Sequence, residues 1–217
     1  MEFFSNLIQI MPQLLKGALV TIKITIASIF FGTIGGTIIG VARTSSNPML
    51  KIPATIYVDV IRGTPLLLQI YVVYYGLPSI GINLPAMAAG ITALSINSAA
   101  YVGEIIRAGI QSIHKGQLEA AYAHGMNYFQ AMRYIILPQA FKIVLPALAN
   151  EFIALLKDSS LVSIIAITEL IRTAKEIYVQ TFDPWTPYIG AGLIYLAMTL
   201  PISKITEKIR GKMVGNL

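Results

Sequence analysis

Residues 15–42 read LKGALVTIKITIASIFFGTIGGTIIGVA, a run in which Lys16 and Lys23 are the only charges. An α-helix needs about 20 apolar residues to cross the ~30 Å of hydrocarbon in a bilayer, so this run is long enough to span. It does not alternate as a barrel strand would, and in lipid the backbone must satisfy its own amides, which leaves the helix. Gly32, Gly35, Gly36 and Gly40 crowd the span, and residues that small permit close approach of a neighbouring helix. Just upstream, Phe3, Phe4, Leu7, Ile10 and Leu14 recur at helical spacing. That stripe predicts a short N-terminal amphipathic helix over residues 1–13, lying at the membrane interface and too short to span. No small-residue cleavage site follows the apolar run, which therefore reads as a retained span and not as a removed signal peptide.

The same reading extends along the chain. Of 217 residues, 55% are hydrophobic and 12% charged, and the mean hydropathy is +0.70, a balance unlike that of a soluble domain. Further runs at about 54–77, 85–110, 134–156 and 186–207 bring the expected spans to five, in a single all-α membrane domain covering 1–217. Arg43 and Lys51 flank the first connection, Lys115 and Arg133 the third, and Lys204, Lys208, Arg210 and Lys212 the tail, whereas the second, Gly76 to Leu84, has no charge. Basic residues stay on the cytoplasmic side, so the N-terminus is expected outside and the C-terminus in the cytoplasm. The fourth connection, Lys157 to Trp185, then lies outside despite Lys157, Arg172 and Lys175, and is long enough to carry structure of its own. Gathering of cations at span ends also accounts for the net charge of +6 without a nucleic-acid partner. The chain has no cysteine, which excludes disulfides, thiolate metal sites and cysteine nucleophiles. His114 and His124 share one polar loop without further ligands, so no metal site is expected.

The third connection carries the most specific pattern. It reads Gly116, Gln117, Leu118, Glu119, Ala120, Ala121, then Gly125 after three intervening residues, Ile135 after nine more, and Leu137-Pro138. Leu118 to His124 are good helix formers, and Gly125 is suited to end the helix in a left-handed cap. Pro138 falls in the first turns of the next span, where its missing N–H is tolerated. A short helix over about 116–126, joined rigidly to two spans, can work as a lever. The pattern EAA, x3, G, x9, I, x, L, P resembles, without a departure, the cytoplasmic signature of binding-protein-dependent ABC importer permeases. The resemblance implies that the 116–126 segment is a coupling helix docked in a groove of an ATPase subunit, with Glu119, Ala120 and Ala121 at the contact and Gly125 at the turn. No G-x-x-x-x-G-K-[ST] phosphate loop occurs in the chain, so ATP and Mg are expected on the partner ATPase and no cofactor in this chain. It reads as a transport subunit and not an enzyme.

Charges inside a span are costly and usually face a cavity or one another. The second span holds Asp59 and Arg62, followed by Gly63, Thr64 and Pro65, and Pro65 predicts a kink close to mid-span whose freed backbone groups suit a polar solute. Self-neutralisation of Asp59 by Arg62 at i, i+3 is the alternative. Asn97, Tyr101 and Glu104 form one stripe on the third span, although Arg107 could pair with Glu104. In the fourth, Glu151 and Asp158 project to one side over Ala154, with Ser159 and Ser160 at the outer rim. The candidate substrate-binding set is therefore Thr64, Asn97, Tyr101, Glu104, Glu151, Asp158, Ser159 and Ser160.

These stretches narrow the resemblance. RGTPLLLQ from Arg62 to Gln69, SAAYVGEIIRAGI from Ser98 to Ile110, GQLEAAYAHG from Gly116 to Gly125, and LLKDSSL from Leu155 to Leu161 look like the polar amino acid uptake permeases. It implies a type I ABC importer permease-like fold in the bacterial plasma membrane, a second permease subunit that is a copy or a paralogue, a dimer of ATPase subunits and an extracellular or periplasmic solute-binding protein. The expected activity is import of a polar amino acid by alternating access. Three acids against few free cations tilt the substrate slightly toward arginine, lysine or histidine, with glutamine or another neutral polar amino acid as the alternative. A passive or ion-coupled carrier is a further alternative, whereas an intramembrane enzyme built on Asp59 or Glu104 would leave the EAA pattern without a purpose.

Overall fold

The computed structural model describes residues 2–214, with side chains for 3–211, so the Lys212 side chain counted in the basic tail lies outside the described residues. Among the described residues nine α-helices follow one another: α1 (Glu2–Thr44), α2 (Pro48–Arg62), α3 (Leu66–Tyr71), α4 (Ala86–Gln111), α5 (Lys115–Ala123), α6 (Tyr128–Ala131), α7 (Leu137–Asp158), α8 (Leu170–Thr181) and α9 (Trp185–Val214). A wide π turn and then a tighter 3-10 turn, Val72–Gly76 and Leu77–Ile80, continue α3; another π turn, Met132–Ile136, joins α6 to α7. No strand occurs among the described residues. Four stretches are each long and apolar enough to cross a membrane, Phe3–Thr44, Ala86–Gln111, Tyr128–Ile165 and Trp185–Gly211, and α2 with α3 makes a fifth when the pair is taken as one broken span.

The N-terminal stripe is not a separate interfacial helix. It forms the first turns of α1, which runs unbroken for 43 residues with Pro12 inside it, a length of about 64 Å at 1.5 Å per residue. The reason is packing: Leu7 and Leu14 press on Gly190 of α9, where a Cβ would come within 2.9 Å and 2.7 Å of their methyls. Leu14 and Ala18 then join Leu170, Ala174 and Ile177 of α8 and Ala191 and Ile194 of α9 in one buried cluster. The apolar face meets protein here, which removes the need for a break at the membrane surface.

The central contact is between α1 and α4. A Cβ on Gly36 would stand 2.6 Å from Val102 Cβ, one on Gly40 2.7 Å from the Gly103 carbonyl, and one on Gly32 2.8 Å from Ser98. Glycines four apart thus bring the backbones together, as small residues do between helices in lipid. Gly109 plays the same part between α4 and α7, where Val144 fills the space a Cβ would need.

The connection between α7 and α9 is anchored by Glu169, which is wholly buried. Its carboxylate accepts the Ile171 and Arg172 amides at 2.9 and 2.7 Å as N-cap of α8, and burial pushes the carboxyl above the usual carboxylate range against those donors. The helix that holds α7 begins at Tyr128, ahead of the expected 134. Asn127 and Gln130 close a capping box there, and the π turn just before Pro138 absorbs the N–H that proline lacks.

Candidate functional site

Between α2 and α3 the chain bends by 104°. Gly63 N–H still bonds the Asp59 carbonyl at 2.9 Å, but Pro65 is extended (φ −62°, ψ 137°) and starts α3 in a new direction. Two polar side chains satisfy the carbonyls the break sets free. Thr64 Oγ1 donates to the Val60 carbonyl at 2.9 Å, and Gln69 Nε2 donates to the Ile61 carbonyl at 2.8 Å and the Thr64 hydroxyl at 3.0 Å. In hydrocarbon an unsatisfied backbone group costs several kcal/mol, so these bonds make a mid-span break tolerable.

The α4 stripe faces this break. Asn97 Nδ2 donates to Gln69 Oε1 at 2.9 Å, and both side chains are buried. One turn on, the Arg62 guanidinium lies over the Tyr101 ring, 5.2 Å from its centroid. After another turn Glu104 is ringed by cations: Arg43 of α1 and Arg107 of its own helix bond it directly, and Arg62 approaches to 3.8 Å. Glu104 is therefore an ionic knot joining α1, α2 and α4, and not an acid left open in a cavity. The i, i+3 pairing with Arg107 is present, whereas Asp59 forms no ion pair with Arg62 among the described residues.

On α7, Glu151 is partly buried and Asp158 exposed. Ser98 Oγ is buried without an ordinary hydrogen bond. Ser159 is turned inward, donating to the Leu156 carbonyl at 2.8 Å, and Ser160 is partly exposed. Of the eight candidate residues, Thr64, Asn97, Glu104 and Ser159 are committed to partners within the chain. Tyr101, Glu151, Asp158 and Ser160 keep an accessible surface. Reading of the residues overlooked two roles: Arg43 as a ligand of Glu104 and Gln69 as the clamp of the break. Only Gln69 carried a local signal, an amide five residues beyond Thr64 in an apolar run.

At the other end of the stripe, α5 is built as its residues require. His114 Nδ1 accepts the Gly116 amide at 3.1 Å as N-cap, and Gly125 adopts φ +78°, with its amide on the Tyr122 carbonyl and that of Met126 on the Ala121 carbonyl. Glu119 and Ala120 are exposed, while Ala121 is buried. Gln139 of α7 reaches Gln117 Oε1 at 3.3 Å, tying α5 to the membrane helices.

A broken span stitched by side chains, beside a short rigid helix exposed at one end of the bundle, describes an ABC importer permease of type I fold. Residues 32–213 match the family model of binding-protein-dependent transport system inner membrane components, and the chain belongs to that family, as a multi-pass transport subunit of the inner membrane. It is similar to the arginine transport system permease protein ArtQ of Bacillus subtilis (strain 168), 42% identical with 98% of each chain covered. A putative glutamine transport system permease protein GlnP of Rickettsia felis is 37% identical, with 98% of this chain and 100% of that protein covered. A crystal structure of an amino acid ABC transporter with histidines matches at a TM-score of 0.89 and 44% identity, covering 96% of this chain and 98% of that one.

Proposed function

We propose that the chain carries a polar amino acid into the cytoplasm by alternating access, with arginine, lysine or histidine favoured over glutamine. The observation that carries the substrate class is the pair of α7 acids. Glu151 and Asp158 stand on one side of α7 without a direct ion-pair partner among the described residues, while the third acid, Glu104, is already held by arginines. Two carboxylates on one side of α7 suit a cationic side chain, with Ser160 two residues beyond Asp158 and Tyr101 exposed on α4. Thr64, Asn97, Glu104 and Ser159 shape the site from behind. Relatives named for arginine and for glutamine span both substrate classes.

These residues lie on an open face of a single chain, Arg62 and Tyr101 being 41% and 37% exposed. This supports a second permease subunit, copy or paralogue, closing the cavity. A dimer of ATPase subunits, holding ATP and Mg, would engage α5 through Glu119 and Ala120, with Ala121 and Gly125 fixing its shape, and a solute-binding protein would deliver the amino acid outside. The N-terminus then lies outside and the C-terminus in the cytoplasm. A ligand moves a two-state equilibrium only through unequal affinity for the two states, so Glu151 is expected to contact substrate differently in each.

The test is uptake and binding by the complete transporter across the amino acids. Glu151→Lys should abolish uptake of a basic amino acid while the complex still assembles. Unchanged transport would remove Glu151 from the site, and selective binding of glutamine would reassign the substrate to the neutral class.

A further inference from the structure

At the end of the bundle that carries α5, a cavity of about 550 Å³ opens between the α1–α2 corner, the end of α4, α5 and α6. Its polar wall is cationic: Arg43, Lys51 and Lys115 line it with His114, and no aspartate or glutamate does. Arg43 is engaged by Glu104, but Lys51 and Lys115 form no ion pair among the described residues. Cations gathered from three separate segments repel one another and are stabilised by an anion between them.

The rest of the lining selects among anions. Ile110, Leu118 and Met132 give the cavity an apolar floor, which a small inorganic anion would leave unused. The flanking chain is apolar and exposed, Met49 beside the α1–α2 corner at 83% and Phe129 beside Tyr128 at 72%, so the mouth sits at the level where chain meets lipid. Basic pockets between membrane helices at this level suit anionic headgroups.

We propose that this cavity binds the headgroup of an anionic phospholipid, with Lys51 and Lys115 meeting the phosphodiester and the apolar floor taking the first carbons of an acyl chain. Because the walls belong both to α5 and to the α1–α2 corner, a bound lipid bridges the lever and the bundle. Nothing in this depends on which amino acid is carried.

The test uses the intact transporter complex in mild detergent, with dioctanoyl phosphatidylglycerol, dioctanoyl phosphatidylcholine and inorganic phosphate as probes, read by native mass spectrometry. Phosphatidylglycerol should be retained over phosphatidylcholine and should resist displacement by phosphate. Lys51→Ala with Lys115→Ala should weaken its binding about twenty-five-fold, at about five-fold per lysine near a lipid surface, while Lys→Arg at both positions retains it. In the unaltered complex the same lipid should shield Lys51 and Lys115 from an amine-acylating reagent, a measurement that needs no variant. Equal retention of the two lipids, binding indifferent to the double alanine change, or no shielding of the two lysines would each overturn the proposal. Displacement of phosphatidylglycerol by phosphate would make this a free-phosphate site instead.

Discussion

Helix α4 has two seams, and they are built on opposite principles. Toward α1 it presents Ser98, Val102, Gly103 and Ile106 to Gly32, Gly36 and Gly40, a close-packed contact fixed by shape, with the Arg43–Glu104 ion pair beyond its last glycine. Toward the α2–α3 break it presents Asn97, Tyr101 and Glu104 to Gln69 and Arg62, a contact made of polar groups. Close packing has one arrangement, because dispersion is lost within a fraction of an ångström. Hydrogen bonds and ion pairs can be exchanged for others, so under the proposed alternating access the polar seam is the one able to change partners. On the proposed alternating access, the first seam would hold α1 and α4 together while the second lets the broken span move against them.

The largest effect should follow from spoiling the packed seam. Gly36→Val places carbon where Val102 side-chain atoms and the Ala99 carbonyl already stand within 2.8 Å, and should cost more than about 3 kcal/mol by overpacking. Thermal unfolding in detergent would register this as a sharp fall in Tm; an unchanged Tm would mean that the helices separate readily, erasing the contrast between seams. Next in size, Glu104→Ala leaves Arg43, Arg62 and Arg107 crowded without their shared anion. Loss of a charge partner from a partly buried cluster should cost about 3 kcal/mol by the same assay.

Smaller effects sharpen the polar side of the contrast. A double-mutant cycle on Gln69→Ala and Asn97→Ala should return a coupling of about 1 kcal/mol, the size usual for side-chain bonds between membrane helices, while transport falls further than stability does. Coupling near zero would show that the clamp on the break contributes nothing. Least of all, Gly125→Ala lies outside both seams and forces a Cβ into the left-handed region in otherwise open space, so about 1 kcal/mol is expected. Its main consequence should be weaker capture of the ATPase by the purified permease, with Tm almost unchanged.

Local physics made much of this legible before any tertiary contact was known. The break at Pro65, the helix after His114 and the reversal at Gly125 each rest on a neighbour within four residues, where proline lacks an N–H and glycine tolerates positive φ. The glycines of α1 announced a close approach but not its partner. Arg43 and Glu104 are 61 residues apart, and no spacing rule connects them. The expectation of an interfacial helix failed for a similar reason: an amphipathic stripe is equally content against lipid headgroups or against α8 and α9, and only the presence of those helices decides.

Sequence alone therefore determined which segments enter the membrane, where one of them breaks and which short helix stays outside, because hydropathy and backbone chemistry act over a few residues. Tertiary structure decided which of the embedded charges are spent on one another and which keep an accessible surface. Charges meet across distances along the chain that only folding closes, and in a low-dielectric interior the nearest partner settles what each one can do.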